Sequence, residues 1–413
     1  MPLLECDVRA PTVVSGESAS ALTTSSNPIT KDQGVAHGNS CYPCPAPTMI
    51  FPCRCSFEPR DVQLTLRCEN LSSHVDLRHV FSAAFPFEKF HDFSLMNSML
   101  EIIPGDAFRF LTFQEFSVFD TDVMHIDGQA LIRMRKHLRK LKFQRNHMRE
   151  FPFYSLKFLP HLKSLILDNN DIMKLEPIVS KSLQVFNVSG NEISNFPEHA
   201  FKASVVDCDA NHLVHVDLSS NPLQQVPPKF LWPNKKLRSV NLDGCKFEVL
   251  KSGTFVTQSP DLKLISLRKN DIRLIEKDAF RVSKDTTILL DRNHLSALDE
   301  HVFRPLLNRL ARGSGTINVE DNPIRCDCSV AWLAVDDKLK QKVAGHCMEG
   351  AKISASTAAK QDFGHQWRCA DDLHEEHPPE KSCLSGNGGT SPSQSGDLAP
   401  RSQALGPSLR GTG

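Results

Sequence analysis

A solenoid is the fold this sequence predicts: an α/β chain of short coils, each giving one strand to a parallel sheet on a concave face. Irregular or 3-10 arcs return on the convex face, and cysteine-stapled caps close both ends. Three observations predict it. Apolar residues recur in a fixed register around a polar one. A large apolar residue follows most of these polar ones ten positions later. Cysteines crowd the two ends of the 413-residue chain.

The register is clearest in Leu162-x-x-Leu165-x-Leu167-x-x-Asn170-x-Ile172-x-x-Leu175, which is the leucine-rich-repeat template. Alternating Leu165 and Leu167 suit a strand with one face to a core and one to solvent. Asn170 stands where the chain leaves the strand, and its amide can donate and accept at that buried turn. The same slot is filled by Ser98, Thr121, Asn146, Asn170, Asn191, Asn221, Cys245, Asn270, Asn293 and Asn322. Most steps fall within the roughly 20–29 residues of this repeat class. Phe108, Leu131, Leu156, Phe201, Leu231, Phe255, Phe280 and Phe303 make the second register, and Pro104, Pro152, Pro197 and Pro227 close the turn after the strand.

Lysines and arginines number 48 and so do aspartates and glutamates. Global charge therefore gives no case for nucleic acid, and a polyanion would need a local patch. Cys41, Cys44, Cys53, Cys55 and Cys68 crowd the start; Cys326, Cys328, Cys347, Cys369 and Cys383 crowd the end. A repeat stack exposes apolar ends that need caps, and disulfide-stapled caps imply an oxidising compartment. Zinc is the weaker reading, because C-x-C pairs lack the spacing of structural zinc knuckles. The organisation expected is a disordered segment 1–40, a cysteine-rich cap 41–89, repeats 90–313, a last repeat with its cap 314–383, and a disordered tail 384–413. Residues 1–40 lack the apolar run of a signal peptide, but the cysteines argue for an extracellular, secreted protein.

In chain order, Asn70-Leu71-Ser72 is a glycosylation sequon. Phe90-x-x-Phe93-x-Leu95 and Phe113-x-x-Phe116-x-Val118 are Phe-rich repeats, read as core bulk near the cap. The third repeat is basic, with Lys140, Lys142 and Arg145 read on strand positions facing the concave surface. Asp92, Glu115 and Asp120 hold comparable positions one or two repeats earlier. Two readings follow: a solvated face of weak ion pairs, or a patch that binds a protein or a glycan. Asn187-Val188-Ser189 is a second sequon, placed on the concave side. Asn211 and Asn221 both fit the slot yet lie ten apart, so one convex arc is expected to be missing, with an irregularity around 205–216. Cys208, in an inward slot, and Cys245 read as buried thiols. Asn322-Pro323-Ile324-Arg325-Cys326-Asp327-Cys328-Ser329-Val330-Ala331-Trp332-Leu333 reads as the last strand turn, followed by a helix that lays its Trp over the open core.

Catalytic signatures fail in turn. His374 and His377 lack the H-E-x-x-H order. Gly313-Ser314-Gly315 lacks the strand–elbow–helix context of a nucleophile. Neither a phosphate loop nor a dinucleotide fingerprint occurs, so no cofactor or metal is expected and the chain reads as non-enzymatic. It contains no stretch of about 20 apolar residues that would span a membrane.

From about Cys53 to Cys369 the chain resembles the leucine-rich-repeat, non-catalytic subunit of oplophorid shrimp luciferase and its arthropod relatives. Cys53-Arg54-Cys55, Phe85-Pro86-Phe87-Glu88-Lys89-Phe90 and Asn322 to Leu333 carry the resemblance. It implies the cap pairings Cys44–Cys55, Cys53–Cys68, Cys326–Cys347 and Cys328–Cys369. It also implies a secreted partner chain whose catalytic subunit is separate. The expected role is to bind or carry a protein partner on the concave face. Matrix or adhesion recognition of glycans is the alternative.

Overall fold

The structure, a computed structural model, describes residues 43–198, 200–201, 212–232, 234–327 and 330–353. Thirteen strands of these residues form one sheet, taken in chain order from one edge to the other. Only the first pair, Arg54–Glu58 with Gln63–Glu69, is antiparallel. From Gln63–Glu69 onward every neighbour is parallel and in register, through Lys89–Met96, Thr112–Phe119 and Lys140–Gln144 to Val343–Ala344. Parallel strands need a crossover between them, and the convex arcs supply it. They are mixed: a helix at Gly128–Arg133, a 3-10 turn at Phe153–Phe158, two-residue strands such as Phe255–Val256, and a helix at Glu300–Leu310.

One backbone feature repeats at every coil. The residue before the polar slot has positive φ: Asn97, Asp120, Arg145, Asn169, Gly190, Ser220, Gly244, Lys269, Arg292 and Asp321 lie between +49° and +64°. That left-handed step turns the chain sharply out of the strand and strands its polar backbone groups. The slot side chain satisfies them. Asn170 Nδ2 donates to the carbonyls of Leu167 (2.9 Å), Asp168 (3.2 Å) and, one coil back, Phe143 (2.8 Å). Its Oδ1 accepts from Met148 N of the preceding coil at 3.2 Å. Asn191, Asn221, Asn270, Asn293 and Asn322 repeat the pattern. Ser98 and Thr121 make shortened versions with hydroxyls.

Inside, the aromatic register becomes a continuous column. Rings touch from Phe81 through Phe93, Phe116 and Phe143 to Phe151, Phe153 and Phe186, and on through Phe201 and Phe230 to Phe255 and Phe280. Edge-to-face and offset contacts of this kind add to the burial of each ring. Phe280 is the partial exception, half-buried and stacked on Phe255 at 5.1 Å.

Both ends are closed covalently. Cys44 is bonded to Cys55 and Cys53 to Cys68 at the start, and Cys326 to Cys347 at the end. Ser73 caps the helix His74–Ser82 by accepting from Asp76 N, and Leu77, Val80 and Phe81 of that helix cover the open end. At the other end Trp332 is buried and its Nε1 donates to Leu298 O at 3.1 Å, while Arg304 lies over the ring. Cys328 and Cys369, with Cys6, Cys41, Cys208 and Cys383, lie outside the described residues, as do all of 1–40, 314–383 beyond Ile353, and all of the tail.

The short step from Asn211 to Asn221, read as a missing arc with an irregularity around 205–216, falls mostly outside the described residues, but its flanks are joined. The strand His215–Asp217 pairs directly with Val185–Asn187, and Asn221 takes both the Ile193 N–H and the Val188 carbonyl of the coil before it. Asn221 is therefore the slot that follows Asn191, thirty positions on. Asn211, which matched the slot by residue type, lies outside the described residues.

Removing one slot amide should strand three carbonyls and an N–H at a buried turn. Asn170→Ala is expected to cost about 2–4 kcal/mol, read from urea unfolding. Cys245 gives the opposite test. Its thiol reaches only Leu218 O at 3.5 Å, and Leu223 N falls back on its own slot carbonyl, as Ile324 N does where the Asn ladder ends. Cys245→Asn should restore the ladder and raise stability by about 1 kcal/mol in the same assay.

Candidate protein-binding surface

Register places the solvent-facing side chains of the first coils on a lattice, with neighbouring strands about 4.8 Å apart. One row runs Thr65, Asp92, Glu115, Lys140. The next runs Arg67, Ser94, Ser117, Lys142. The third runs Glu69, Met96, Phe119, Gln144. A small residue between larger ones makes a trough. Ser94 and Ser117 are only 5% and 7% exposed and form its floor, with carboxylates along one wall and Met96 and Phe119 along the other. The signal is a repeated pentapeptide, Asp92-Phe93-Ser94-Leu95-Met96 echoed by Glu115-Phe116-Ser117-Val118-Phe119. Sequence reasoning took the charges from it and passed over the serines and the apolar wall.

The charges are unevenly satisfied. Lys140 Nζ donates to Glu115 Oε1 at 2.6 Å. Arg145 grips Asp120 with two hydrogen bonds of 2.7 and 2.8 Å, and holds that carboxyl below its ordinary range. The placement expected for Arg145 is corrected: it lies just past the strand Lys140–Gln144, on the left-handed turn, as Asp120 lies past Thr112–Phe119. Asp92 and Lys142 carry no hydrogen bond or ion pair among the described residues. Burial pushes the Asp92 carboxyl above its ordinary pKa and adjacent Glu115 adds to the shift; His91, Lys142 and Arg67 oppose it. Ser94 Oγ is buried without a partner.

Farther along, the same face is internally satisfied. Asp168 accepts from Gln144 and Asn169, Asp217 from Asn241, Asp243 from Ser266, and Asp291 from Arg268 and Asn318. His346 and Glu320 pair at the far end. Unmet polar demand among these sheet residues therefore concentrates in the trough. Asn187 faces solvent between Ile166 and Asp217, with Oδ1 accepting from Ser189 N at 2.8 Å. Asn70 is exposed on a left-handed turn (φ +58°). Cys245 is buried, and desolvation pushes its thiol up to about 12, so it stays protonated and unreactive at neutral pH.

Asp92 yields a signed pH prediction. A carboxyl whose folded pKa is raised opposes folding above the ordinary carboxylate value of 3.8, and is neutral to folding well below it. Asp92→Asn should therefore be more stable than the parent at pH 7, and the gap should close as pH falls to 3. Guanidinium unfolding at the two pH values measures it.

No family model matches the chain. It is 26% identical over 322 residues to the Oplophorus-luciferin 2-monooxygenase non-catalytic subunit of Oplophorus gracilirostris, covering 75% of this chain and 85% of that one. It is 25% identical over 170 residues to leucine-rich repeats and immunoglobulin-like domains protein 1 of Homo sapiens, covering 41% of this chain and 15% of that protein. Among solved structures, a chain of the octameric complex of Latrophilin 3, Unc5D and FLRT2 (LRR) superposes with a TM-score of 0.57 at 17% identity. The match covers 75% of this chain and 97% of that one. The first relative's name agrees with the non-enzymatic reading of the sequence. The chain has a leucine-rich-repeat fold with disulfide-stapled ends, and is similar over three quarters of its length to the non-catalytic subunit of a luciferin monooxygenase.

Proposed function

We propose that this is an extracellular binding or carrier subunit without chemistry of its own, which holds a protein partner in the trough of Asp92, Ser94, Glu115, Ser117, Met96 and Phe119. The observation that carries the proposal is the half-buried Asp92 carboxylate, unpaired and penalised by burial. A partner's lysine or arginine would lay its aliphatic stem along Met96 and Phe119 and bring its charge to Asp92. Pairing a desolvated carboxylate in this way is worth more than an exposed surface pair. The similarity to a subunit that works beside a catalytic chain supports a role in an assembly, and the disulfides support an oxidising, extracellular setting. Glycans at Asn70 and Asn187 belong to the proposal. One on Asn187 would confine the partner to the coils before it. A glycan site built on Lys140 and Arg145 has less support, since both cations are engaged by carboxylates.

The wild-type chain, immobilised and exposed to extracellular fluid of its source, should retain a protein that the Asp92→Lys variant binds at least roughly tenfold more weakly. Lys269→Glu, away from the trough, should retain it unchanged. Equal retention by Asp92→Lys would move the partner elsewhere.

A further inference from the structure

Positive charge is segregated on one lateral edge of the solenoid, along the short segments that lead into the sheet strands. Backbone hydrogen bonds stack these segments directly: Arg139 N to Gln114 O, Lys163 N to Arg139 O, Gln184 N to Lys163 O, Val214 N to Gln184 O, Arg238 N to Val214 O, and Lys263 N to Arg238 O. Lys136, Arg139, Lys163, Lys236, Arg238 and Lys284 are exposed on this edge. None of the six forms an ion pair among the described residues. The acids of the same described segments are Glu88, Asp261 and Asp285, and Asp285 is taken up by Ser314 and Lys263. The opposite edge and the sheet face mix the two signs: cations there, Lys246, Lys269 and Arg273 among them, alternate with acids such as Asp171, Glu248 and Asp271. Arg145–Asp120, Arg268–Asp291 and Arg292–Asp321 pair opposite charges there, and His147 and His294 lie against Asp171 and Asp271. The crowding of cations has a local consequence. Half-buried His137, whose Nδ1 lacks a partner, is held below its ordinary pKa by burial and then by Lys89, Lys136 and His161.

We infer that this edge is a docking rail for a linear sulfated polysaccharide. Six coil-to-coil steps separate Lys136 from Lys284, roughly 30 Å at about 4.8 Å per step, with cations repeated along the line. A chain with regularly spaced anionic groups can follow such a line, whereas a compact acidic patch engages only part of it. Single-stranded nucleic acid would be held by stacking on aromatic rings. The exposed aromatics just upstream of the edge, Phe110, Phe158 and Trp232, already lie under Arg109, Lys157 and Lys229. The oxidising compartment implied by the caps is also where sulfated polysaccharides are the abundant linear polyanions. This inference does not depend on the trough and would stand if the protein partner bound elsewhere.

The test uses the full chain and a size-defined heparin oligosaccharide as probe, with binding followed as a function of salt. The triple variant Lys136→Gln, Arg139→Gln, Lys163→Gln should weaken binding tenfold or more at physiological salt. It should also flatten the slope of log affinity against log salt by about three, roughly one per contact removed. The triple Lys246→Gln, Lys269→Gln, Arg273→Gln removes the same charge from the opposite edge and should change affinity less than twofold. Unfolding midpoints of both variants, matched to the parent, exclude a folding defect. Equal losses in the two variants would overturn the assignment, as would absence of salt-sensitive heparin binding by the parent. Binding of polyglutamate without heparin would overturn the polysaccharide class in favour of an acidic protein.

Discussion

Everything in this molecule hangs on how a chain can leave a parallel strand sharply and stay buried. The left-handed residue before each slot makes the bend, and the slot amide repays the hydrogen bonds lost in making it. Three of the four bonds of Asn170 stay close to its own turn or reach the carbonyl behind it, and the fourth receives an N–H from the preceding coil. Each turn is therefore completed by its neighbour. Coils joined this way cannot slide by one residue without inverting every side chain between core and solvent. The register that results is what lets single side chains on the sheet face be assigned to rows at all.

Once the rows are fixed, the chemistry of each surface follows from which positions the fold brings together. On the sheet face, acids and bases of adjacent coils meet, and most cancel. Exposed pairs of that kind add little stability, but they remove binding capacity, as Lys140 and Arg145 illustrate. Asp92 escapes because its neighbours in the row are Thr65 and Glu115, neither of them a cation. On the lateral edge most cations have other cations or neutral residues as neighbours, the pair of Lys263 with Asp285 being an exception. A formal charge of zero for the whole chain thus conceals a polarised object.

Much of this was legible in the sequence, and the reasons for the rest are specific. Slots such as Asn170 and Asn270 could be read because one side chain must make several fixed bonds, which few residue types can do. Phe93 and Phe186 could be read because a core tolerates only apolar bulk at 0% exposure. Asp120 and Arg145 were placed a step wrong because alternation along a strand does not reveal where the strand stops and the left-handed turn begins. Asn211 misled for a related reason: residue type satisfies the template, but only the hydrogen bonds from Ile193 N to Asn221 Oδ1 and from Asn221 Nδ2 to Val188 O single out Asn221 as the next slot. The trough needs residues from three coils at once, so no single repeat announces it. The lateral edge has no slot of its own, and charges there vary freely until the coils are stacked.

Position along the solenoid also matters to function. Contacts in a repeat array run only between neighbours, so a site takes its rigidity from the coils that flank it. The trough lies at the start of the array, and its near end is the strand Gln63–Glu69, which supplies Thr65, Arg67 and Glu69, one to each row. That strand is fixed on its outer side by the antiparallel strand Arg54–Glu58 and by the bond from Cys68 to Cys53. The amino-terminal cap therefore does more than cover an apolar end. It supplies one end of the binding surface, and the bond that closes the cap holds the strand that pairs with Asp92 and Met96. A chain that folded its repeats but left Cys53 and Cys68 reduced would keep the aromatic column and lose the shape of the trough.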